Sequence, residues 1–385
     1  MRIAFLAGLL TGDTVGGAEI YAEEAARTLA ARHEVVYITG SKAAAPEGLN
    51  TLRVPGLPLL AGGTVVGKGL WHLRDQWRPG VHRQLLRHLE LTNPDVVASH
   101  SVQGLSAAAF TAITRARVPH VHTAHDLSLL CIRATMTRGG AFCGGGCATC
   151  RIQRSGRARA LRPNLSRLIT ISEYVRRRHL DARIVRPDHA VVIPHGTQPG
   201  TRRQRETPPR GTVTLGFIGM LGRHKGLATL LDAFTRAPDG WRLIVAGSGE
   251  LEPDVKALAA SDSRVSYRGR VAGQAKDEFF DALDLVVVPS EWEEPATFVA
   301  TEAAIRGIPA VVSDRGGLPE TPEAQIFRSG DADDLLRAVE SLTEPGRIEA
   351  RSAKLLAAAS SFTWERHIER VEAVLTDAAS EGAAT

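Results

Sequence analysis

The fold turns on one stretch, Val286–Ser313, VVVPSEWEEPATFVATEAAIRGIPAVVS. An apolar run, Leu285 to Val288, stops at Pro289. A short acidic loop follows, then a helix reaching Gly307, and a second apolar run, Ala310 to Val312, closes the unit. Strand, loop, helix and strand in this order form the repeating unit of a parallel sheet. Glu294 lies in the loop and Glu302 inside the helix, with Thr297 as the expected N-cap. The free N–H groups around Ala296 to Val299 then point at whatever sits above the sheet.

A helix start offers positive partial charge to an anion, and two carboxylates suit the hydroxyls of a ribose or a hexose. Together they fit a molecule that is phosphate at its centre and sugar at its ends. The plainer alternative is one acid complementing the helix dipole and one on a solvated face. The stretch resembles the Glu-x7-Glu signature of retaining glycosyltransferases of family 4. Pro289, Ser290, Glu294, Phe298, Glu302 and Ala303 carry the likeness, while Pro295, Ala296 and Thr297 stand where Gly, Phe and Gly are commonest.

Outward from this stretch, 385 residues with 43% hydrophobic content suit two domains with packed cores. Lys+Arg is 47 against Asp+Glu 42, a balance of 47 − 42 = +5 that does not argue for nucleic acid. No apolar run approaches the roughly 20 residues that span a bilayer. The opening MRIAFLAGLLTGD lacks a small-x-small cleavage site and continues into GGAE and a helix, so it reads as a first strand and not a signal peptide. The expected location is the cytoplasm, with the inner face of a membrane as a further option.

Ile3 to Gly8 is a buried strand, followed by a loop with Gly12, Gly16 and Gly17, a helix from about Ala18 to Arg32, and a second strand, Val35 to Ile38. This is a Rossmann-like opening without the G-x-G-x-x-G fingerprint. Residues Pro55 to Gly80 show no period; Trp71, His72 and Arg74 there are acceptor or core candidates. Val96 to Ala98 is a strand with His100 at its end, a helix runs from about Gly104 to Arg115, and VPHVHTAHD is a strand ending at His125-Asp126. In open parallel sheets, ligands bind at the carboxyl ends of strands, which puts both histidines in view.

Cys131, Cys143, Cys147 and Cys150 fall in one Gly-rich loop with spacing C-x11-C-x3-C-x2-C. Four thiolates suit a structural, tetrahedral zinc ion, with an iron–sulfur cluster as second choice. Two disulfides or free cysteines remain open. Arg151 to Arg186 is dense in arginine, opposed only by Glu173 and Asp181. It reads either as solvated helix faces or as a patch for an anionic membrane or a phosphate-bearing acceptor. Within it, Ser172 is the expected cap of a helix.

Residues 198–211 (QPGTRRQRETPPRG) read as a linker, after which TLGFIGMLGRHKG repeats the strand, Gly loop and helix of the N-terminus. The expected architecture is α/β, two tandem Rossmann-like domains. The first covers 1–197 with the C-terminal helix 362–378 crossing back to it, and the second covers 212–361. The last residues, Ser380 to Thr385, should fray.

The resemblance to family 4 extends over nearly the whole chain, through Gly16-Gly17, His125-Asp126, Lys225, Glu294 and Glu302. It implies the glycosyltransferase B fold, with the active site in a cleft between the domains. The implied reaction moves a hexose-type sugar from a nucleotide-diphosphate sugar to an acceptor hydroxyl with retention, in the making of a cell-surface glycan, a glycolipid or a glycosylated natural product. It places Lys225 on the donor diphosphate, Glu294 on the sugar ring, Glu302 on the ribose and His125 beside the donor sugar. Gly219, Leu221, Lys225 and Gly226 match the family loop, and Met220 replaces its arginine, a charge that Arg223 is expected to supply. Gly17, Thr297 and Phe298 complete the expected donor set, Arg270 and Val271 are base candidates, and Gly16, His100 and Trp71 face the acceptor. A subset of the family also has an H-D-x-x-x-x-C start with further cysteines downstream. No Asp-x-Asp metal motif is evident, so catalysis without Mg²⁺ is expected. The alternatives are a nucleotide-sugar epimerase on the same fold, or a non-catalytic nucleotide-sugar-binding or metal-sensing protein.

Overall fold

The computed structural model describes residues 1–13, 16–58, 65–138, 141–198 and 212–383. All of the expected linker after Gln198 lies outside them. The chain divides into two compact units, one containing Met1–Arg138, Cys143–Pro194 and the chain from Ile368 on, the other built on His195–His367.

In the first unit the strands are β1 (Arg2–Ala7), β2 (Glu34–Thr39), β3 (Asn50–Arg53), β4 (Val96–Ser99) and β5 (His120–Ala124). Two-residue strands β6 (Thr137–Arg138) and β7 (Ala141–Phe142) pair with each other, and β8 (Leu165–Thr170) and β9 (Ala190–Val192) return to the main sheet. That sheet has the order β3-β2-β1-β4-β5-β8-β9, with parallel pairing such as Phe5 beside Tyr37 and Ala98. Its central strands are apolar on both faces because helices cover both, as a parallel sheet requires. Ile3, Ala4, Phe5 and Leu6 are all buried.

The second unit repeats the plan with β10 (Val213–Met220), β11 (Trp241–Ser248), β12 (Val265–Tyr267), β13 (Leu285–Val288), β14 (Ala310–Ser313) and β15 (Gln325–Phe327), in the order β12-β11-β10-β13-β14-β15. Side chains alternate across it. Leu215, Leu243, Val245, Leu285 and Val287 join one buried cluster, while Ile244, Ala246, Val286 and Val288 join another on the opposite face. The quoted stretch is therefore β13, a loop, the helix Phe298–Ile305 and β14.

In each sheet the strand order reverses once, between β1 and β4 and between β10 and β13. Connections leave these neighbours in opposite directions, so a crevice opens beyond their carboxyl ends. The chain around each crevice carries the candidate residues.

Several local expectations change. Residues Pro55 to Gly80 contain the helix Val65–Arg74 and the start of the helix Pro79–Thr92. The last helix, Trp364–Ala383, runs through the stretch expected to fray. Ser380 Oγ donates to Thr376 O at 2.9 Å, and Glu381 pairs with Arg167 at 2.5 Å. Residues 384–385 lie outside the described chain.

Candidate active site

In the second unit, the loop after β10 brings Lys225 to the loop after β13, because those strands are neighbours. Lys225 Nζ lies 2.8 Å from Glu294 Oε2 and 3.1 Å from Oε1. Ser290 Oγ (3.0 Å) and Trp292 Nε1 (2.7 Å) also donate to Oε2. The Lys225 ammonium sits 4.9 Å from the Trp292 ring centroid. Glu294 is buried, so its charge is held by a cation and two neutral donors, the arrangement a buried carboxylate needs. Next to Lys225, burial first and the ammonium second push the His224 pKa below its ordinary value.

Two glycines make this approach achievable. Gly226 has φ +69°, and a Cβ there would lie 1.7 Å from the Pro289 carbonyl oxygen. Gly316, at φ +58°, would put a Cβ 2.1 Å from the Glu294 carbonyl oxygen, which accepts from the N–H of Gly317 at 2.7 Å.

The other donor-side candidates are more spread out. Arg223 is exposed, and its backbone N–H donates to Glu250 Oε1 at 2.8 Å. Thr297 occupies the N-cap position of Phe298–Ile305, but its side chain makes no capping bond, which corrects that expectation. The Phe298 ring stacks on His195 at 4.2 Å. Glu302 is paired with Lys276 of the helix Gln274–Asp281. Arg270 is exposed, and Val271 packs, partly buried, against the core cluster that includes Ile244, Val286 and Phe280. The expected absence of an Asp-x-Asp string is corrected by the sequence itself, which has Asp331-Ala332-Asp333. There Asp331 caps the helix Ala332–Leu342, accepting from the N–H of Asp334 at 2.9 Å.

In the first unit the ends of β4 and β5 bring two histidines together. His100 Nδ1 and His125 Nε2 are 3.1 Å apart, their rings stacked at 5.3 Å. Tyr21, on the helix Gly17–Ala30, tilts against both rings at 5.6 and 4.7 Å. Burial pushes His100 down to about 3, so it is a neutral hydrogen-bonding group at neutral pH. Gly16 is the N-cap of the Gly17–Ala30 helix and Gly17 its exposed first residue. Glu19, two residues on, is buried. Burial raises its carboxyl pKa, its own backbone N–H opposes the rise, and Asp126, Asp13 and Glu23 add to it. Trp71 makes different contacts: its Nε1 donates to Pro58 O at 2.9 Å, and its ring meets His72 edge-on.

Residues beyond the sequence candidates include Tyr21, Glu19, Lys276, Ser290 and Trp292. Tyr21 falls one turn after Gly17, and Glu19 belongs to GGAE. Ser290 and Trp292 lie inside the stretch quoted first. The Lys276 contact has no sequence signal, because it depends on which helices are neighbours.

The cysteine segment departs from the zinc expectation. Among the described residues no group of three or more His, Cys, Asp or Glu side chains is placed to hold a metal. The segment is not one loop: Cys147 is the N-cap of the helix Ala148–Leu161 and Cys150 lies in its first turn. Helix geometry turns Cys150 towards Cys131, with the sulfurs 3.9 Å apart, and all four thiols are free. Part of the arginine-rich segment is used internally. Arg157 pairs with the buried Asp75 at 2.7 Å and donates to Ser128 O at 2.6 Å.

The two parallel-sheet units define the glycosyltransferase B architecture. HepE from Anabaena, in a crystal structure with UDP, superposes with a TM-score of 0.75 at 19% identity, covering 98% of this chain and 100% of that one. Residues 15–200 match the model described as Glycosyltransferase Family 4, and residues 212–344 match Glycosyl transferases group 1. The chain thus carries two glycosyltransferase-family domains in tandem. A D-inositol 3-phosphate glycosyltransferase of Rhodococcus jostii is 32% identical over 188 residues, 44% of this chain and 41% of that one. An uncharacterized protein of the cps region of Klebsiella pneumoniae is 22% identical over 258 residues, 66% of each chain. The chain therefore spans less than two thirds of the length of these curated relatives. No helix among the described residues is long and apolar enough to cross a membrane.

Proposed function

We propose that the protein transfers a hexose-type sugar from a nucleoside-diphosphate sugar to an acceptor hydroxyl, with retention at the anomeric carbon and without a catalytic metal ion. The observation that carries this reading is the Lys225–Glu294 pair at the strand reversal of the second sheet, inside the group 1 domain. In this reading residues 212–361 bind the donor and residues 1–197 the acceptor. UDP in HepE supports a nucleoside diphosphate as the donor's leaving group.

As the glycosidic bond breaks, negative charge grows on the departing diphosphate while the sugar becomes oxocarbenium-like. Lys225, Arg223 and the N–H groups opening the helix at Phe298 meet that charge. Glu294 aims the ammonium and accepts from sugar hydroxyls. Ribose recognition by Glu302 exchanges its ion pair with Lys276 for hydroxyl hydrogen bonds. His125, held by His100, orients the donor sugar and the attacking hydroxyl. Electrostatic contacts of this kind are each worth roughly 10²–10³ in rate. Surface contact with anionic lipid through 151–186 at the cytoplasmic face of a membrane is part of the proposal, supported by the exposed Arg151, Arg159, Arg162, Arg183 and Arg186.

A melting screen against UDP-, GDP-, dTDP- and ADP-sugars identifies the donor as the one that raises Tm. With that donor, Lys225→Ala and Glu294→Ala each lower turnover at least about tenfold without loss of fold. Near-normal turnover in both refutes the assignment. Product analysis by NMR separates transfer, with its anomeric outcome, from epimerisation of the donor.

A further inference from the structure

The start of the helix Phe298–Ile305 is fixed by something other than its own cap. Thr297 makes no side-chain capping bond, and no acidic residue lies in the first turn. The body of the helix is anchored, with Ala300, Ala303, Ala304 and Ile305 buried, while Phe298 at its first position is half-buried. The Phe298 ring lies nearly parallel to the ring of His195, with 4.2 Å between centroids and 18° between planes. His195 is buried and has a second ring neighbour, His367, at 6.0 Å; His367 in turn stacks on Trp364 at 5.6 Å.

The backbone that carries His195 is held as firmly as its ring. The Thr197 N–H donates to Phe362 O and the Trp364 N–H donates to Thr197 O, both at 2.9 Å. Gly196, between His195 and this bridge, approaches so closely that a Cβ there would lie 2.4 Å from Thr363 O and 2.6 Å from the His367 Cβ. All of these residues belong to the second unit. His195 is therefore a flat surface on a fixed support, and a ring stacked on it is confined to few orientations.

We propose that His195 is a positioning residue for the donor: its imidazole holds Phe298 and, through it, the direction of the first N–H groups of the helix. The inference rests on the proposed function, which supplies the diphosphate those groups meet. N–H groups aimed in the free protein need no ordering when the anion arrives, so a side chain that touches no ligand strengthens binding. The effect runs through one contact, the pair of rings, and that makes it separable from a general loss of packing.

The test is calorimetric titration of the whole protein with UDP, GDP, dTDP and ADP, followed by a double-mutant cycle read on the diphosphate that binds. His195→Ala and Phe298→Ala are each expected to raise its Kd about fivefold, and the double variant to raise it no further than either alone. A merely structural role for His195 gives losses that multiply in the double variant. That result, or an unchanged Kd in either single variant, overturns the proposal. If His195→Ala does not fold, Phe298→Ala, at the half-buried end of the stack, decides alone: a fivefold rise sustains the proposal and an unchanged Kd overturns it. If none of the four diphosphates binds the unmodified protein, the proposed function fails and takes this inference with it. If one binds and the losses multiply, only the inference fails.

Discussion

Glu294 shows how much one side chain can be made to hold. Its carboxylate takes Lys225, Ser290 and Trp292, and its carbonyl takes Gly317, so the loop after β13 is fixed at both ends of the residue. Gly226 is the hinge point of the partner loop. Alanine there meets both a left-handed backbone, worth about 1–2 kcal/mol by itself, and the Pro289 carbonyl. Gly226→Ala is expected to lower the urea stability of the second unit by at least about 2 kcal/mol and to weaken donor binding. Unchanged unfolding midpoint and donor affinity would show that the loop yields without disturbing the pair. The residue types at Lys225 and Glu294 were legible from the local text, 69 positions apart, but their contact was not. Sequence reading could not see that Thr297 leaves its helix uncapped, since a cap depends on side-chain rotamer and not on identity alone.

At the scale of elements, β4 and β5 concentrate buried histidines. Besides the His100–His125 contact, Ser99 Oγ meets His120 Nε2 at 2.6 Å and His122 Nδ1 at 2.7 Å. Burial lowers His100 and His120 to about 3. It also lowers His179 to about 4, against an opposing bond to the Val175 carbonyl. These side chains bind fewer protons folded than unfolded whenever the pH lies below about 6.5, the ordinary histidine value. Stability is therefore full above about 6.5 and falls as the pH drops towards 3–4, because protonation favours the unfolded chain. Chemical unfolding of the first unit at pH 7.5 and 5 should show a loss at the lower value, and Ser99→Ala should not remove it. A flat profile across that window would mean the histidines are more hydrated than their burial implies. The central strands of both sheets were legible because their apolar runs need burial on both faces. The helices Val65–Arg74 and Ala148–Leu161 were not. The first carries Gly and Trp that blur its period, and the second starts in a run of glycines and cysteines that resembles a loop.

At the scale of the molecule, the chain's end belongs to its beginning. From Ile368 on, the last helix is part of the first unit, with Ile368, Val371, Leu375 and Ala378 buried. Glu372 receives Arg32 at 2.5 Å and His33 at 2.7 Å. Removal of the residues after His367 exposes that apolar stripe and strands those partners, at a cost of several kcal/mol. The expected result is a first unit that melts well below its value in the full chain, while the second keeps its transition. Equal melting of both units would mean that the helix contributes nothing to the fold. By itself, the sequence determined the α/β class, the tandem repeat of a strand and a glycine loop, and which residue types were available for an anionic, sugar-bearing ligand. These follow from periodicity, hydrophobicity and backbone sterics, which act over a few neighbouring residues. Only the tertiary structure decided that Lys225 reaches Glu294, that Glu302 is occupied by Lys276, and that Cys150, in the first turn of a helix, faces Cys131. Those contacts depend on strand order and helix packing, which set distances between residues that the chain itself keeps far apart.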